Sequence, residues 1–281
     1  MPDMILSSFA FSQETHPDPD PYYGVLKYKP REHLMLSFDD LPYTVTESAA
    51  EQAEIHRVHQ SQANPTFVPI DRTTPLCRRF VPEPEDELLN ECAVRKTPEA
   101  LFPPKKNRNT IVKERYTYAR DRGMMLLQTD GACLDNGQPQ RGPRAGSAYV
   151  YGPPNPRNPN ETGVSATKLP PEDATSNRAE LIAVITALRA RIWWGEGFHA
   201  VVIATDSEYV VNGATEWCRT WEGRGWKTST GKPVKNKDLW EELVWNIEWV
   251  RHQGCEVLFW QIPREWNGKA DASAKSAAAR N

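Results

Sequence analysis

Between residues 124 and 279 the apolar residues of this chain change period several times, and that succession is what most constrains its fold. Residues 124–129 (MMLLQT) form a short apolar run followed at once by Asp130-Gly131, which reads as a buried strand exiting into a turn. Residues 147–151 (SAYVY) and, more weakly, 163–168 read as a second and a third strand, with a proline-rich turn at 153–159; two hairpins make an antiparallel meander. Thr175-Ser176-Asn177 offers capping side chains ahead of 178–193, where Leu181, Val184, Ile185, Leu188 and Ile192 recur at helical spacing. Residues 200–204 (AVVIA) form a β-branched run of the kind a buried strand shows, ending in Thr205-Asp206-Ser207. Leu239, Leu243, Val244, Ile247 and Val250 mark another helix, 257–262 a fifth strand and 269–279 an alanine-rich helix. The order is βββαβ(α)αβα, an α/β arrangement.

Residues 1–123 have no such pattern. Prolines recur from Pro17 to Pro84, and all ten tryptophans lie at or after Trp193. The expectation is an irregular N-terminal extension, 1–123, that is largely disordered or loosely structured, and a packed domain over 124–281. Five cysteines, Cys77, Cys92, Cys133, Cys218 and Cys255, are odd in number and lack C-x-x-C spacing, which argues against a disulfide framework or a structural zinc and favours a reducing compartment. Acidic residues among the early prolines leave no secretory or transit signal to read, and no apolar run reaches membrane-spanning length. Nucleus or cytoplasm is therefore expected. The basic cluster within 103–108 (PPKKNR) reads either as a nuclear-localisation signal or as a solvated linker.

The formal charge of −3 does not mark a nucleic-acid binder, but charge is unevenly distributed: Arg219, Arg224, Lys227, Lys232, Lys235 and Lys237 fall in one segment. Trp217, Trp221 and Trp226 interleave with them; the pattern suits nucleic-acid stacking, and equally a helix burying its aromatic face.

Four carboxylates stand where this order of elements would gather them: Asp130 and Asp206 at strand ends, Glu180 and Asp271 at helix starts. Crowded carboxylates need a cation, and hard oxygen donors suit Mg²⁺ or Mn²⁺. Singly, each has a plainer reading: a turn at Asp130-Gly131, a helix-dipole partner at Glu180, an N-cap at Asp206 and another first-turn charge at Asp271. The surrounding words favour the joint reading. With TDGAC from residue 129, TSNRAEL from 175, TDSEYVVNG from 205, WEGRGWKTSTGKPVKNKDLW from 221 and NGKADASAK from 267, most of residues 124–281 resembles the type 1 ribonuclease H family in motif order and spacing.

The resemblance implies a ribonuclease H-like fold with a five-stranded mixed sheet, three strands antiparallel and two parallel. It further implies two Mg²⁺ ions on Asp130, Glu180, Asp206 and Asp271, and two-metal hydrolysis of the RNA strand of an RNA/DNA hybrid to 5′-phosphate and 3′-hydroxyl ends. It assigns Cys133, Asn136, Ser176 and Asn177 to the minor groove with its 2′-hydroxyls. Thr175, Asn236 and Arg178 go to a DNA-strand phosphate, Arg178 alternatively to bracing the site. Tyr209 and Trp221 are matched to a channel for the DNA backbone, and Ser229 with its lysines to a basic protrusion. Ser176 replaces the family's usual asparagine. The histidine that many members carry before the last helix is absent, His252 standing too early to replace it; Arg264 and Glu265 are auxiliary candidates for its task or surface salt-bridging groups. No hybrid-binding module is legible in 1–123, so the extension reads as a regulatory or partner-binding tail on a monomeric enzyme. Two rivals stand beside this reading: a ribonuclease H-fold module that binds hybrids without cutting, and a domain derived from a mobile element.

Overall fold

The computed structural model describes residues 74–83, 97–106, 114–135, 142–156 and 162–280. In chain order the elements are β1 (Arg78–Arg79), α1 (Pro98–Leu101), β2 (Pro104–Lys106), β3 (Glu114–Tyr116), β4 (Met124–Leu134), β5 (Arg144–Val150), β6 (Val164–Lys168), α2 (Ser176–Arg189), β7 (Ala200–Thr205), α3 (Glu208–Asn212), α4 (Cys218–Gly223), α5 (Lys237–His252), β8 (Glu256–Gln261) and α6 (Gly268–Ala279). A π turn, Gly213–Trp217, joins α3 to α4. Among the described residues no helix is long and apolar enough to cross a membrane.

The main sheet has the order β1-β8-β7-β4-β5-β6, with β4, β5 and β6 antiparallel and β4, β7 and β8 parallel. Those five strands are the ones predicted. The sixth, β1, runs parallel to β8 at the edge. One sheet face packs through Met125, Leu127, Val201, Ile203, Val257 and Phe259 into the cluster that holds the apolar sides of α2 and α5. Along each parallel strand the alternate residues, Leu126, Val202, Ala204, Leu258 and Trp260, point to the opposite face.

That second face is covered by described parts of the extension, 74–83, 97–106 and 114–123. Phe80, Leu101, Phe102 and Tyr118, all from the segment expected to be loose, cover it in one cluster with Trp260 and Ile262. Phe80 sits edge-on to Tyr118 and to Trp260, 5.4 Å between ring centroids in each pair, a favoured aromatic geometry. Arg115 of β3 is only 1% exposed and makes a two-pronged ion pair with Glu196, 2.9 Å for each contact. The strap around β1 is tied down as well: Arg78 pairs with Glu256, Arg79 bonds to Asn212 and to Glu216, and Arg251 donates to the Leu76 carbonyl. Packed structure thus begins well before residue 124, because the continuous apolar strands have two faces to bury and the helices of 124–281 leave part of one bare.

Lys105 and Lys106 of the basic cluster are exposed on β2, which pairs with β3; Arg108 lies outside the described residues. The first long helix ends at Arg189, before Trp193, which opens a separate 3₁₀ turn, Trp193–Glu196.

Candidate active site

Asp130 does not sit in a turn. β4 continues to Leu134 against β5, with Asp130 opposite Ala148, but its parallel ladder with β7 stops at Gln128–Ala204. Asp130 therefore lies just past the point where two strands part, and Asp206 follows the last residue of β7. Ser207, not Asp206, caps α3, its hydroxyl accepting from the Val210 N–H. α2 starts at Ser176, which moves Glu180 beyond the first turn and weakens the helix-dipole reading of that residue.

Gly131 explains how Glu180 reaches Asp130. A Cβ there would lie 2.2 Å from the Glu180 backbone nitrogen, so only glycine lets β4 touch the backbone of α2. The Gly131 N–H then donates to Glu180 Oε2 at 3.1 Å. Gly131→Ala is expected to destabilise the protein by about 1–3 kcal/mol, since neither backbone can move aside, and to displace Glu180; a thermal melt and an activity assay check both effects.

Electrostatically the cluster is strained. Burial, then the charges of Asp206 and Asp271, push the Asp130 carboxyl up to about 7. Glu180 is held well above the usual carboxylate range by burial and by Asp130 and Asp206. Positive charge reaches the cluster from two sides: Arg264 donates to Asp271 Oδ1 at 2.9 Å and lies 3.8 Å from Asp206 Oδ2, and Lys275 pairs with Asp271 Oδ2 at 2.7 Å. As they stand, no three such side chains among the described residues converge as ligands of one ion. The donor set nonetheless fits a hard divalent cation: all donors are carboxylate oxygens, and their mutual repulsion is what such a charge relieves.

Of the substrate-contact candidates, Cys133, Thr175, Ser176 and Asn177 come together. The Cys133 thiol donates to the Ala174 carbonyl at 3.3 Å, and Ser176 and Asn177 are exposed at the start of α2 behind the N-cap Thr175. Asn136 lies outside the described residues. Arg178 is clamped between Asp173, at 2.6 Å, and Asp238, at 2.7 Å, which is the bracing alternative. The Tyr209 hydroxyl accepts from Trp240 Nε1 at 2.8 Å and from Asn236 Nδ2 at 3.2 Å, while Trp221 packs on Trp217 and Trp240. Ser229 is exposed in the turn closed by the Thr228 and Lys232 backbones, next to exposed Lys227 and Lys232. Arg219 leaves the expected basic surface, since Glu222 and Glu248 neutralise it. Glu265 is exposed beside Arg264. His252 lies in the last turn of α5, against Trp249.

The family model described as RNase H matches residues 122–279, more than half of the chain. The chain belongs to the ribonuclease H family. Among its relatives, the ribonuclease H of Treponema pallidum is 42% identical over 141 residues, covering 44% of this chain and 76% of that protein. The ribonuclease HI of Pseudomonas aeruginosa is 38% identical over 149 residues, 53% of this chain and 85% of the relative. Among solved structures, the PFV RNase H domain is 20% identical with a TM-score of 0.42, over 54% of this chain and 93% of that one. The RNase H1 of the archaeon Halobacterium salinarum is 24% identical with a TM-score of 0.35, over 55% and 96%. As a member of the family, the protein is a nuclease of the ribonuclease H class.

Two groups in contact with the carboxylate cluster went unread in the sequence. Lys275 stands one helical turn after Asp271, a spacing that by itself signals only a surface pair. Asn267 precedes α6 and reads as a helix-start residue; its second task shows only in three dimensions.

Proposed function

We propose that this ribonuclease H is an endonuclease that hydrolyses the RNA strand of RNA/DNA hybrids, leaving 5′-phosphate and 3′-hydroxyl ends. The observation that carries the reading is the gathering of Asp130, Glu180, Asp206 and Asp271 at one sheet end, so crowded that Asp130 rises to about 7. These four would hold two Mg²⁺ ions, with Mn²⁺ able to replace them. Divalent ions bound there supply charge to grip the scissile phosphate, acidify an attacking water and stabilise the departing 3′ oxygen.

The chain's own groups do the rest. Asp130 and Glu180, which burial and repulsion keep reluctant to ionise, would ionise more readily as ligands of a compensating cation. Arg264, 69% exposed and joined to the cluster only by ion pairs, is free to exchange Asp206 and Asp271 for a phosphate oxygen. Glu265 beside it can accept a proton. Cys133, Ser176 and Asn177 face the 2′-hydroxyls of the RNA strand, and Thr175 and Asn236 a phosphate of the DNA strand, with Arg178 holding α2 against α5. Tyr209 and Trp221 line the path of the DNA backbone and the lysines around Ser229 extend it. The enzyme acts as a monomer, and its folded unit includes the packed residues from Thr74 onward.

The test is cleavage of an end-labelled hybrid by the full-length protein in Mg²⁺ or Mn²⁺, with single-stranded RNA and duplex DNA as controls. Metal-dependent cutting confined to the hybrid's RNA strand is the expected outcome, weakening as salt rises. Tight hybrid binding without cutting in either metal would leave a binding module instead.

A further inference from the structure

Asn267 is completely buried between the 3₁₀ turn, Arg264–Trp266, and α6. Its side-chain Nδ2 donates to the Thr129 carbonyl at 2.9 Å and to Asp206 Oδ1 at 2.8 Å. Its backbone carbonyl accepts from the Asp271 N–H at 3.0 Å. One residue thus ties together the neighbour of Asp130 on β4, the carboxylate that follows β7, and the first turn of α6 that carries Asp271.

The bland explanation is an N-cap, but the amide is not used that way. A capping asparagine turns its oxygen to accept from the first helical N–H groups, and here the side chain makes no capping bond. Its Oδ1 is buried without a hydrogen-bond partner. Both hydrogens of Nδ2 face oxygens, so a flipped amide would set oxygen against a carbonyl and a carboxylate; the orientation is fixed. A buried amide that forgoes its cap and leaves an acceptor unmet is costly, and what it gains is a grip on Asp206.

We infer that Asn267 is a positioning residue of the active site. It fixes the rotamer of Asp206 by holding Oδ1 beside the end of β4, which leaves Oδ2 on the side of Arg264, 3.8 Å away. The inference rests on the proposed function for what Asp206 does there, and its test separates the two.

Full-length wild type, Asn267→Ala and Asn267→Ser are compared by Mn²⁺ calorimetry without substrate, by kcat and KM on a hybrid, and by thermal melting. Serine caps a helix well but cannot span to Asp206, so it keeps the start of α6 and discards only the grip. Both variants are expected to bind Mn²⁺ about 10- to 100-fold more weakly and to lose kcat by a similar factor, with KM for the hybrid little changed. Asn267→Ser with wild-type Mn²⁺ affinity and kcat overturns the inference, as does a loss that tracks only the folded fraction in the melts. If wild type cuts no hybrid, the proposed function fails, while weaker Mn²⁺ binding by Asn267→Ser still supports the role of Asn267. A wild type that binds no Mn²⁺ overturns both.

Discussion

Asp206→Asn should abolish cleavage without unfolding the protein: kcat on a hybrid falls roughly 1,000-fold or more, and the melting temperature of the metal-free protein holds or rises. The two effects have one cause. After burial, Asp206 is the strongest charge raising Asp130, and it comes next after Asp130 in raising Glu180. Asparagine keeps its shape and can still accept from Asn267, but it removes the anion that its neighbours repel and that a cation needs. The pH dependence gives the sign. Asp130 titrates near 7 when folded, against about 4 when unfolded. The folded state therefore binds the proton more tightly, and the resulting stabilisation, present in full below about pH 4, is lost as pH rises toward 7. In chelator, wild type should melt at progressively lower temperature over that window, and Asp206→Asn should show a shallower decline. A variant that melts well below wild type at pH 7, or that cuts at a wild-type rate, would remove Asp206 from the active centre.

How much of this was legible beforehand differs by region, for physical reasons. The five long strands and the helices α2, α5 and α6 follow from apolar period, since each buries a repeating face. The carboxylates followed from strand ends and motif words, although Asp130 was expected in a turn: a glycine after an aspartate usually breaks a strand, whereas Gly131 serves close contact with α2. Asn267 and Lys275 were not readable, because what they do depends on partners far away in sequence or on burial. Less legible were the described parts of the extension that pack on the sheet. Their core residues, Leu76, Phe80, Leu101, Phe102 and Tyr118, stand at or just beyond the ends of elements of two to four residues, too short to show a period. The signal lay elsewhere. AVVIA and VLFW are apolar at every position, so both sheet faces needed a cover, and the helices of 124–281 supply one face and, through α6, only the antiparallel part of the other.

That cover sets the second large effect. A fragment starting at Met124 would bare Leu126, Val202, Leu258 and Trp260, and would leave Glu196, 2% exposed, without Arg115. Each fully bared side chain of this size forfeits about 1.5–3 kcal/mol, so the sum is comparable to the whole stability of a typical domain, and the fragment is expected to aggregate or stay unfolded. A chain beginning at Thr74 keeps every one of these contacts and should melt close to full length. The single substitution Arg115→Ala tests the ion pair together with the contacts Arg115 makes over the Tyr151 and Trp193 rings. Breaking a buried pair strands the remaining charge, at a cost of about 3–5 kcal/mol and hence on the order of 10 °C in melting temperature. Arg191, 3.5 Å from Glu196, offers only partial compensation. Arg115→Met with Glu196→Gln, which removes both charges of the pair at once, should recover much of that loss. Because neither residue touches the carboxylate cluster, cleavage per folded molecule should stay near wild type in all of these variants. A 124–281 fragment that melts and cuts like the full chain would show instead that the aromatic layer of the extension rests on the sheet without supporting it.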